Sequence, residues 1–396
     1  MYGVVLEGGG ARGAYQVGVY KALTEEGLEI RGVAGTSVGA LNGAIFVQGD
    51  IDKAWEIWEN ISYSRVIKAS DEEIEKFKEG RLESKDIALL LEKLRGIIKE
   101  GGLDISPLRQ LLQEAIEESK IRNSGKDFAI VTVSLSDFKP LELYIEDIPY
   151  GKLIDYLMAS AYLPVFKREK IDGKSFLDGG VYNNLPANLL IDKGYKDLII
   201  IRTGSFGIVR KVDFTGLNVT IISPKENLGG ILEFDRMRAI YNLKLGYYDG
   251  LKALKGLKGK KYYIKCEEKE EFFIDYLMRI DAEKVKKLKR ILEIDDEIPE
   301  KRAVFEFIIP KLASLSNLGS KADYEDIFLV ILENLAEEYK LERFKVYSYK
   351  ELIEKVRVKI REEATTETEE SVIEKIVKKV FAKNEILKEA GKVLFC

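Results

Sequence analysis

Gly35-Thr36-Ser37-Val38-Gly39 reads G-x-S-x-G, the pattern of a nucleophilic serine held on a sharp turn between a strand and a helix. A serine hydroxyl attacks poorly until a neighbouring base takes its proton. The 396-residue sequence contains no histidine to serve as that base. The pattern is therefore either accidental or served by a different group. Gly35 and Gly39 have physical work in it, since glycine permits the strained turn and lets strand and helix approach closely. The helix that follows turns its first backbone N–H groups, beginning with Val38, and a partial positive charge toward the serine oxygen.

The best candidate for the base is Asp178, within Phe176-Leu177-Asp178-Gly179-Gly180. An aspartate that ends a strand before two glycines sits at the rim of a sheet, where α/β sites gather. By itself it would be an ordinary Asp-Gly turn. Beside a serine turn in a chain without histidine, the catalytic reading is favoured. An unperturbed aspartate, titrating near 3.9, is a weak base toward serine. Partial burial without a cationic neighbour would raise it to a useful range.

A second glycine-rich turn, Gly8-Gly9-Gly10-Ala11-Arg12-Gly13, also joins a strand to a helix and matches the dinucleotide fingerprint G-x-G-x-x-G. That fold wants an acidic residue at the end of its second strand. Here the second strand runs into the serine turn, and the nearest acid, Glu29, lies at or before its start. The alternative is favoured: N–H groups of Gly8, Gly9 and Gly10 face the serine across one crevice and hold an oxyanion. Arg12 either anchors this loop, contacts an anionic head group or is simply solvated. Other chemistries fare worse. An S-x-x-K match at Ser136–Lys139 lies in a turn, histidine ligands and thiol pairs for a metal are lacking, and no P-loop pattern occurs.

The elements that must position these residues alternate in type. Strands are expected at Val4–Glu7, Arg31–Ala34, Asp127–Ser134, Leu141–Ile145, Ile171–Leu177, Leu198–Ile201 and Val219–Ile222. Helices are expected at Ala14–Glu26, Ala40–Val47 and Lys152–Ser160, with Ser106 as N-cap of another. This alternation is that of a mostly parallel α/β sheet. Between Tyr63 and Gly102 lies a charged helical insertion with Ile87, Leu90, Leu91, Leu94, Ile97 and Ile98 on one face. It reads as a helix packed on the core or, more sharply, as a lid over an acyl site. From residue 267 the texture becomes charge-dense helix, as at Ala282–Leu292 and Ile327–Tyr339, with one strand at Arg343–Tyr347 and an exposed linker at Glu362–Glu370. The division expected is 1–266 and 267–396.

With 63 basic and 67 acidic residues the net charge is −4, which supports neither nucleic-acid binding nor strong whole-molecule attraction to an acidic membrane. Cys266 and Cys396 cannot build a disulfide framework. With no signal-like start and no apolar run of membrane-spanning length, a cytoplasmic chain is expected, at most peripheral at a membrane.

The three motifs in this order, with Ala159-Ser160-Ala161-Tyr162-Leu163-Pro164 and the stretch Asp178–Pro186, resemble the patatin-like phospholipase family over residues 1–265. The resemblance implies a three-layer α/β/α sandwich and a lipid acyl hydrolase with a Ser–Asp dyad and no metal or other cofactor. It implies Ser37 as nucleophile, Asp178 as general base, and Gly9 and Gly10, with Arg12, at the oxyanion hole. Gly13, Gly35, Gly39, Gly179 and Gly180 are the supporting motif positions. Lipid or acyl-ester substrate and transient membrane contact are the expected partners. The rival is a catalytically weak lipid-binding or scaffolding protein acting through its C-terminal helices.

Overall fold

The computed structural model describes residues 1–68, 101–319, 322–366 and 383–396. The insertion helix expected around Ile87 to Ile98 lies outside the described residues. The chain divides into two compact units, Met1–Leu254 and Lys255–Cys396.

The first unit is built on a seven-stranded sheet. Its strands are β1 (Tyr2–Leu6), β2 (Ile30–Thr36), β3 (Asp127–Ser134), β4 (Lys139–Tyr144), β5 (Phe176–Asp178), β6 (Asp197–Ile201) and β7 (Asn218–Ile222). The order is β4-β3-β2-β1-β6-β7, with β5 also pairing with β3. All pairings are parallel except β3–β4 and β3–β5. Alternation along the central strands assigns the two faces. Val5, Ala34, Ala129 and Val131 pack with Leu189 and Leu190 of a short helix, Ala187–Asp192. The opposite face carries Leu6, Val33 and Phe128. There they receive α2 (Val38–Gln48), where a Cβ at Gly43 would press within 3.1 Å of both Phe128 and Val33. Helices on both faces make three layers.

On the outer side of the sheet, α1 (Gly13–Glu25) packs against α3 (Arg236–Lys255) through glycine. A Cβ at Gly18 would stand 2.0 Å from the Leu243 carbonyl oxygen, and one at Gly246 would stand 2.0 Å from that of Tyr15. Two helical backbones can come this close only where side chains are absent.

Several local expectations give way. The expected strand Ile171–Leu177 is only Phe176–Asp178, because Ile171 and Lys174 close a tight turn around Asp172 and Gly173. Pro140 stands inside β4, opposite Val133, and not in the preceding turn, since an edge strand tolerates a missing donor. Ser106 is the first helical residue of Ser106–Ala115 and Ile105 holds the N-cap position, while the Ser106 N–H donates to Asp104 Oδ1 at 2.9 Å.

The second unit has one core, in which Phe273, Phe328, Leu332, Tyr347 and Leu394 are buried. Its helices include Ala282–Ile291, Tyr324–Glu338, Tyr349–Thr366 and Lys383–Phe395. The strand expected at Arg343–Tyr347 is Val346–Ser348, paired in parallel with Tyr263–Lys265. That pairing puts Tyr263–Lys265 in the second unit, so the boundary falls before the change of texture at 267. Of the expected linker, residues 362–366 are helical and 367–370 lie outside the described residues.

Candidate active site

Ser37 sits between the end of β2 and the first turn of α2, with φ 56° and ψ −127°. This is a left-handed conformation that a side-chain-bearing residue adopts at a cost of about 1–3 kcal/mol. The flanking glycines make the turn sterically feasible. A Cβ at Gly35 would lie 2.3 Å from the Gly39 carbonyl, and one at Gly39 would lie 2.5 Å from the Leu6 carbonyl oxygen. The Ser37 N–H donates to Ser160 Oγ at 2.9 Å, and that hydroxyl donates to the Val131 carbonyl at 2.7 Å. Ser160 therefore ties the strained turn to the neighbouring strand β3. Its sequence motif marked the residue without indicating this role.

Strand pairing explains how Asp178 reaches Ser37 from 141 positions away. β2 ends with Thr36 opposite Val131. β5 enters the lane β2 has vacated, antiparallel to β3, with Asp178 opposite the next residue, Thr132. The two chains thus meet end to end at the carboxyl edge of the sheet. Asp178 is held there by its own N–H donating to the Tyr162 carbonyl at 2.9 Å. Gly179 is required too, since a Cβ would stand 2.2 Å from the Val131 oxygen. The Gly180 N–H donates to Asp178 Oδ1 at 2.7 Å.

Asp178 is 4% exposed and Ser37 6% exposed. Burial pushes the Asp178 carboxyl up to about 6, while hydrogen bonding to the Ser37 hydroxyl and the Gly180 N–H pulls it back in part. Oδ2 has no hydrogen bond of normal geometry. A buried carboxylate oxygen beside a serine hydroxyl, with one acceptor position unspent, is chemically suited to take a proton.

The glycine loop borders the same space. Gly9 and Gly10 line a cavity together with Ser37, Asp178, Gly180 and Asn184. Gly10 has φ 56°, and a Cβ there would stand 2.1 Å from the Ile231 oxygen. Val38 lines a second cavity, which also opens on Ser37 and Gly10 and is walled, apart from Asn42, by apolar groups such as Leu41, Ile45, Trp58, Leu108 and Leu112. As the first residues of helical turns, Gly10 and Val38 have N–H groups with no intrahelical acceptor.

Gly8 and Arg12, expected with them at the oxyanion hole, line neither cavity. The Gly8 N–H is spent on the Asn184 carbonyl at 3.1 Å, and the Gly8 carbonyl accepts from Thr203 Oγ1 at 2.7 Å. The Arg12 N–H donates to Gly9, and its guanidinium donates to the carbonyls of Gly229 and Gly204, each at 2.8 Å. Burial lowers the Arg12 pKa against the opposing fields of Glu7 and Glu233. Both residues hold the loop in shape. Glu7 completes the anchorage: fully buried, it pairs with Arg202 at 2.8 Å and accepts from the N–H groups of Thr203 and Gly204. A lone glutamate ending an apolar strand carried no sequence signal for that task. Gly13 stands behind the loop, where a Cβ would strike Val38 at 2.4 Å. Among the described residues no three metal-ligating side chains converge.

Residues 4–191 match the family model described as patatin-like phospholipase. These residues form a patatin-like phospholipase domain. Among curated proteins, the patatin-like phospholipase domain-containing protein 7 of Rattus norvegicus is 30% identical over 211 residues, which is 51% of this chain and 13% of that protein. The patatin-like phospholipase domain-containing protein 6 of Homo sapiens is 28% identical over 208 residues, again 51% and 13%. The neuropathy target esterase sws of Drosophila melanogaster is 27% identical over 203 residues, with the same shares. The match thus spans about an eighth of the length of these relatives. Among solved structures, VipD from Legionella pneumophila is similar at 14% identity and a TM-score of 0.40, covering 100% of this chain and 91% of that one. In the chain carrying the patatin-like domain, no described helix is long and apolar enough to cross a membrane.

Proposed function

We propose that the protein hydrolyses fatty acyl esters of lipids through an acyl-enzyme, with Ser37 as nucleophile and Asp178 as its only base. The observation that carries this reading is the buried Asp178 carboxyl, pushed up to about 6 with an unspent oxygen beside a serine held in a strained turn. Asp178 Oδ2 takes the Ser37 proton as Oγ bonds to the ester carbonyl carbon. The N–H groups of Gly9, Gly10 and Val38 hold the resulting oxyanion. The carbon–oxygen bond to the alcohol breaks, and the alcohol leaves with the proton from Asp178. Water then bonds to the acyl carbon, giving one proton to Asp178. The Oγ–carbon bond breaks and Ser37 recovers that proton as the fatty acid departs. The apolar cavity takes the acyl chain, and the cavity with Asn184 and Gly180 takes the alcohol portion.

The family of the N-terminal domain supports lipid ester hydrolysis as the class of reaction. The test is fluorophosphonate labelling together with turnover of a short-chain ester. Wild type should be labelled at Ser37. Ser37→Ala and Asp178→Asn should each lose at least about a thousand-fold in kcat/KM. Full turnover by Asp178→Asn would sink the dyad. Absence of labelling in wild type would favour the lipid-binding alternative.

A further inference from the structure

The carboxyl edge of the sheet carries apolar side chains whose cost the protein does not recover internally. The four-residue turn between β3 and β4 ends on Phe138, which has φ 52° and is 92% exposed. The turn is closed by Ser134 and Asp137 around it, and the Phe138 ring has no ring partner among the described residues. Glycine or asparagine is the expected residue at a left-handed turn position. A phenylalanine there pays backbone strain and the exposure of a large apolar surface to water. Neither cost is offset by packing. The loop after β6 also exposes apolar side chains: Ile208 is 56% exposed and Val209 is 44% exposed.

Ile208 stands at the mouth of the candidate active site, and Phe138 lies on the turn after β3, at the same carboxyl edge of the sheet. The Ile208 N–H donates to the Gly180 carbonyl at 2.9 Å, and the Ile208 carbonyl accepts from the Asn184 N–H. Gly180 and Asn184 line the cavity with Asp178, as do Ser205, Phe206 and Gly207 immediately before Ile208. The flanking charges are in positive excess. Asp137 and Lys139 bracket Phe138, with Asp137 paired to Lys174 at 2.8 Å, and Arg210 and Lys211 follow Val209 ahead of Asp213; Lys139, Arg210 and Lys211 are exposed. Arg210 lies over the Tyr182 ring, 4.7 Å from its centroid. In a chain of net charge −4, this local cationic rim around an apolar edge is complementary to one kind of surface, an anionic lipid layer.

We propose that this rim, with Phe138 and Val209 as its apolar anchors and Lys139 and Lys211 as its charges, docks the protein on anionic phospholipid and holds the cavity mouth against the lipid. The inference rests on the acyl-hydrolase reading above and specifies where its substrate is met. Binding of the full chain to phosphatidylcholine vesicles, with and without about a third phosphatidylglycerol to supply negative surface potential, tests it in the Ser37→Ala background. Wild-type rim residues should give tighter binding to the anionic vesicles, weakened by salt. Lys139→Glu with Lys211→Glu should weaken that binding by at least about ten-fold, given roughly five-fold per basic residue near such a surface. Phe138→Gly with Val209→Ser should weaken it similarly while Tm stays level or rises, because glycine relieves the left-handed strain. In otherwise wild-type protein, both double variants should turn over a water-soluble short-chain ester normally.

Unchanged vesicle binding in both double variants would overturn the proposal, as would equal wild-type binding to neutral and anionic vesicles. A fall in Tm with Phe138→Gly would assign the ring to internal packing and overturn its role as anchor. If wild type fails on the soluble ester, the hydrolase reading fails by itself, and the vesicle measurements still decide whether the rim binds lipid.

Discussion

The two units handle left-handed backbone differently. Among the described residues of the second unit, those with positive φ other than glycine are Glu293, Asn317 and Lys340. Each is the second residue past a helix, and each is followed by an N–H reaching back five positions: Ile294 to Lys289, Leu318 to Ala313, and Leu341 to Ala336. These are ordinary helix endings that satisfy terminal carbonyls. In the first unit the corresponding residues are Ser37, Phe138 and Asp172. None ends a helix, and they lie at the candidate nucleophile and on turns at the same edge of the sheet. Buried polar groups divide in the same way. The second unit buries Lys289, Ser316 and Glu333, and Glu333 accepts N–H groups from Lys260, Lys261 and Tyr262. The first unit buries many more, including Ser37, Ser160, Asp178, Asn183, Asn184 and Thr203 around one crevice. One unit uses strain and desolvation to finish its helices and loops, whereas the other concentrates them where chemistry would occur.

The sharpest way to break this contrast is at Gly39. Gly39→Ala drives a methyl into the Leu6 carbonyl, and backbone cannot retreat as a flexible side chain can. Loss of at least about a hundred-fold in esterase activity is expected, with destabilisation of about 3 kcal/mol or more measured by denaturant titration. An alanine accepted there without loss would mean that the strained turn is not needed.

Glu333→Ala should come next, with a loss of about 2–4 kcal/mol from the second unit because three N–H groups, that of Tyr262 buried and those of Lys260 and Lys261 partly so, lose their acceptor. Fluorophosphonate labelling of Ser37 should persist under native conditions. Loss of labelling in step with that unfolding would show that the division of labour is wrong.

Asp178→Asn should separate function from stability. The Asp178 pKa is raised from 3.8 to about 6 on folding, so the native state binds this proton more tightly than the unfolded chain. Wild-type stability from this group is full below about 4 and declines as pH rises through about 6. Asparagine escapes that decline. The variant should gain roughly 1–3 kcal/mol relative to wild type at pH 8, with the gain vanishing near pH 4. A gain independent of pH would remove the buried charge from the account. The same titration sets the activity profile: kcat/KM should fall as pH drops through about 6, since only the carboxylate accepts the serine proton.

The smallest effect belongs to the helix endings. Lys340→Gly should stabilise by about 0.5–1 kcal/mol, because glycine adopts the left-handed position without a Cβ penalty. Thermal melts would detect it, and a loss of stability would show that Lys340 contributes something beyond its backbone conformation.

Much of the site was legible because its requirements are local. Gly35, Ser37 and Gly39 lie within one turn, where close approach of strand and helix demands glycine at fixed spacing. The strand–loop–helix around Gly8 to Gly13 was legible for the same reason. The division of tasks within that loop was not. Whether the Gly8 N–H is free depends on Asn184, and what its carbonyl accepts depends on Thr203, both far away in the chain. Ser160 could be placed in a motif, yet its grip on the Ser37 N–H appears only once β3 lies alongside. The short β5 was overestimated because apolar residues at Ile171 and Phe176 suggest one strand, while the Asp172-Gly173 turn interrupts it.

Residue types and spacing alone determined the reaction chemistry available to this protein: a serine on a glycine-framed turn, a carboxylate before two glycines, and no imidazole anywhere. Tertiary structure alone decided that these groups meet, because β5 fills the lane beyond the end of β2 and sets Asp178 beside Ser37. It also decided the protonation behaviour of the carboxyl, since desolvation belongs to the surroundings a folded chain builds and not to the residue itself.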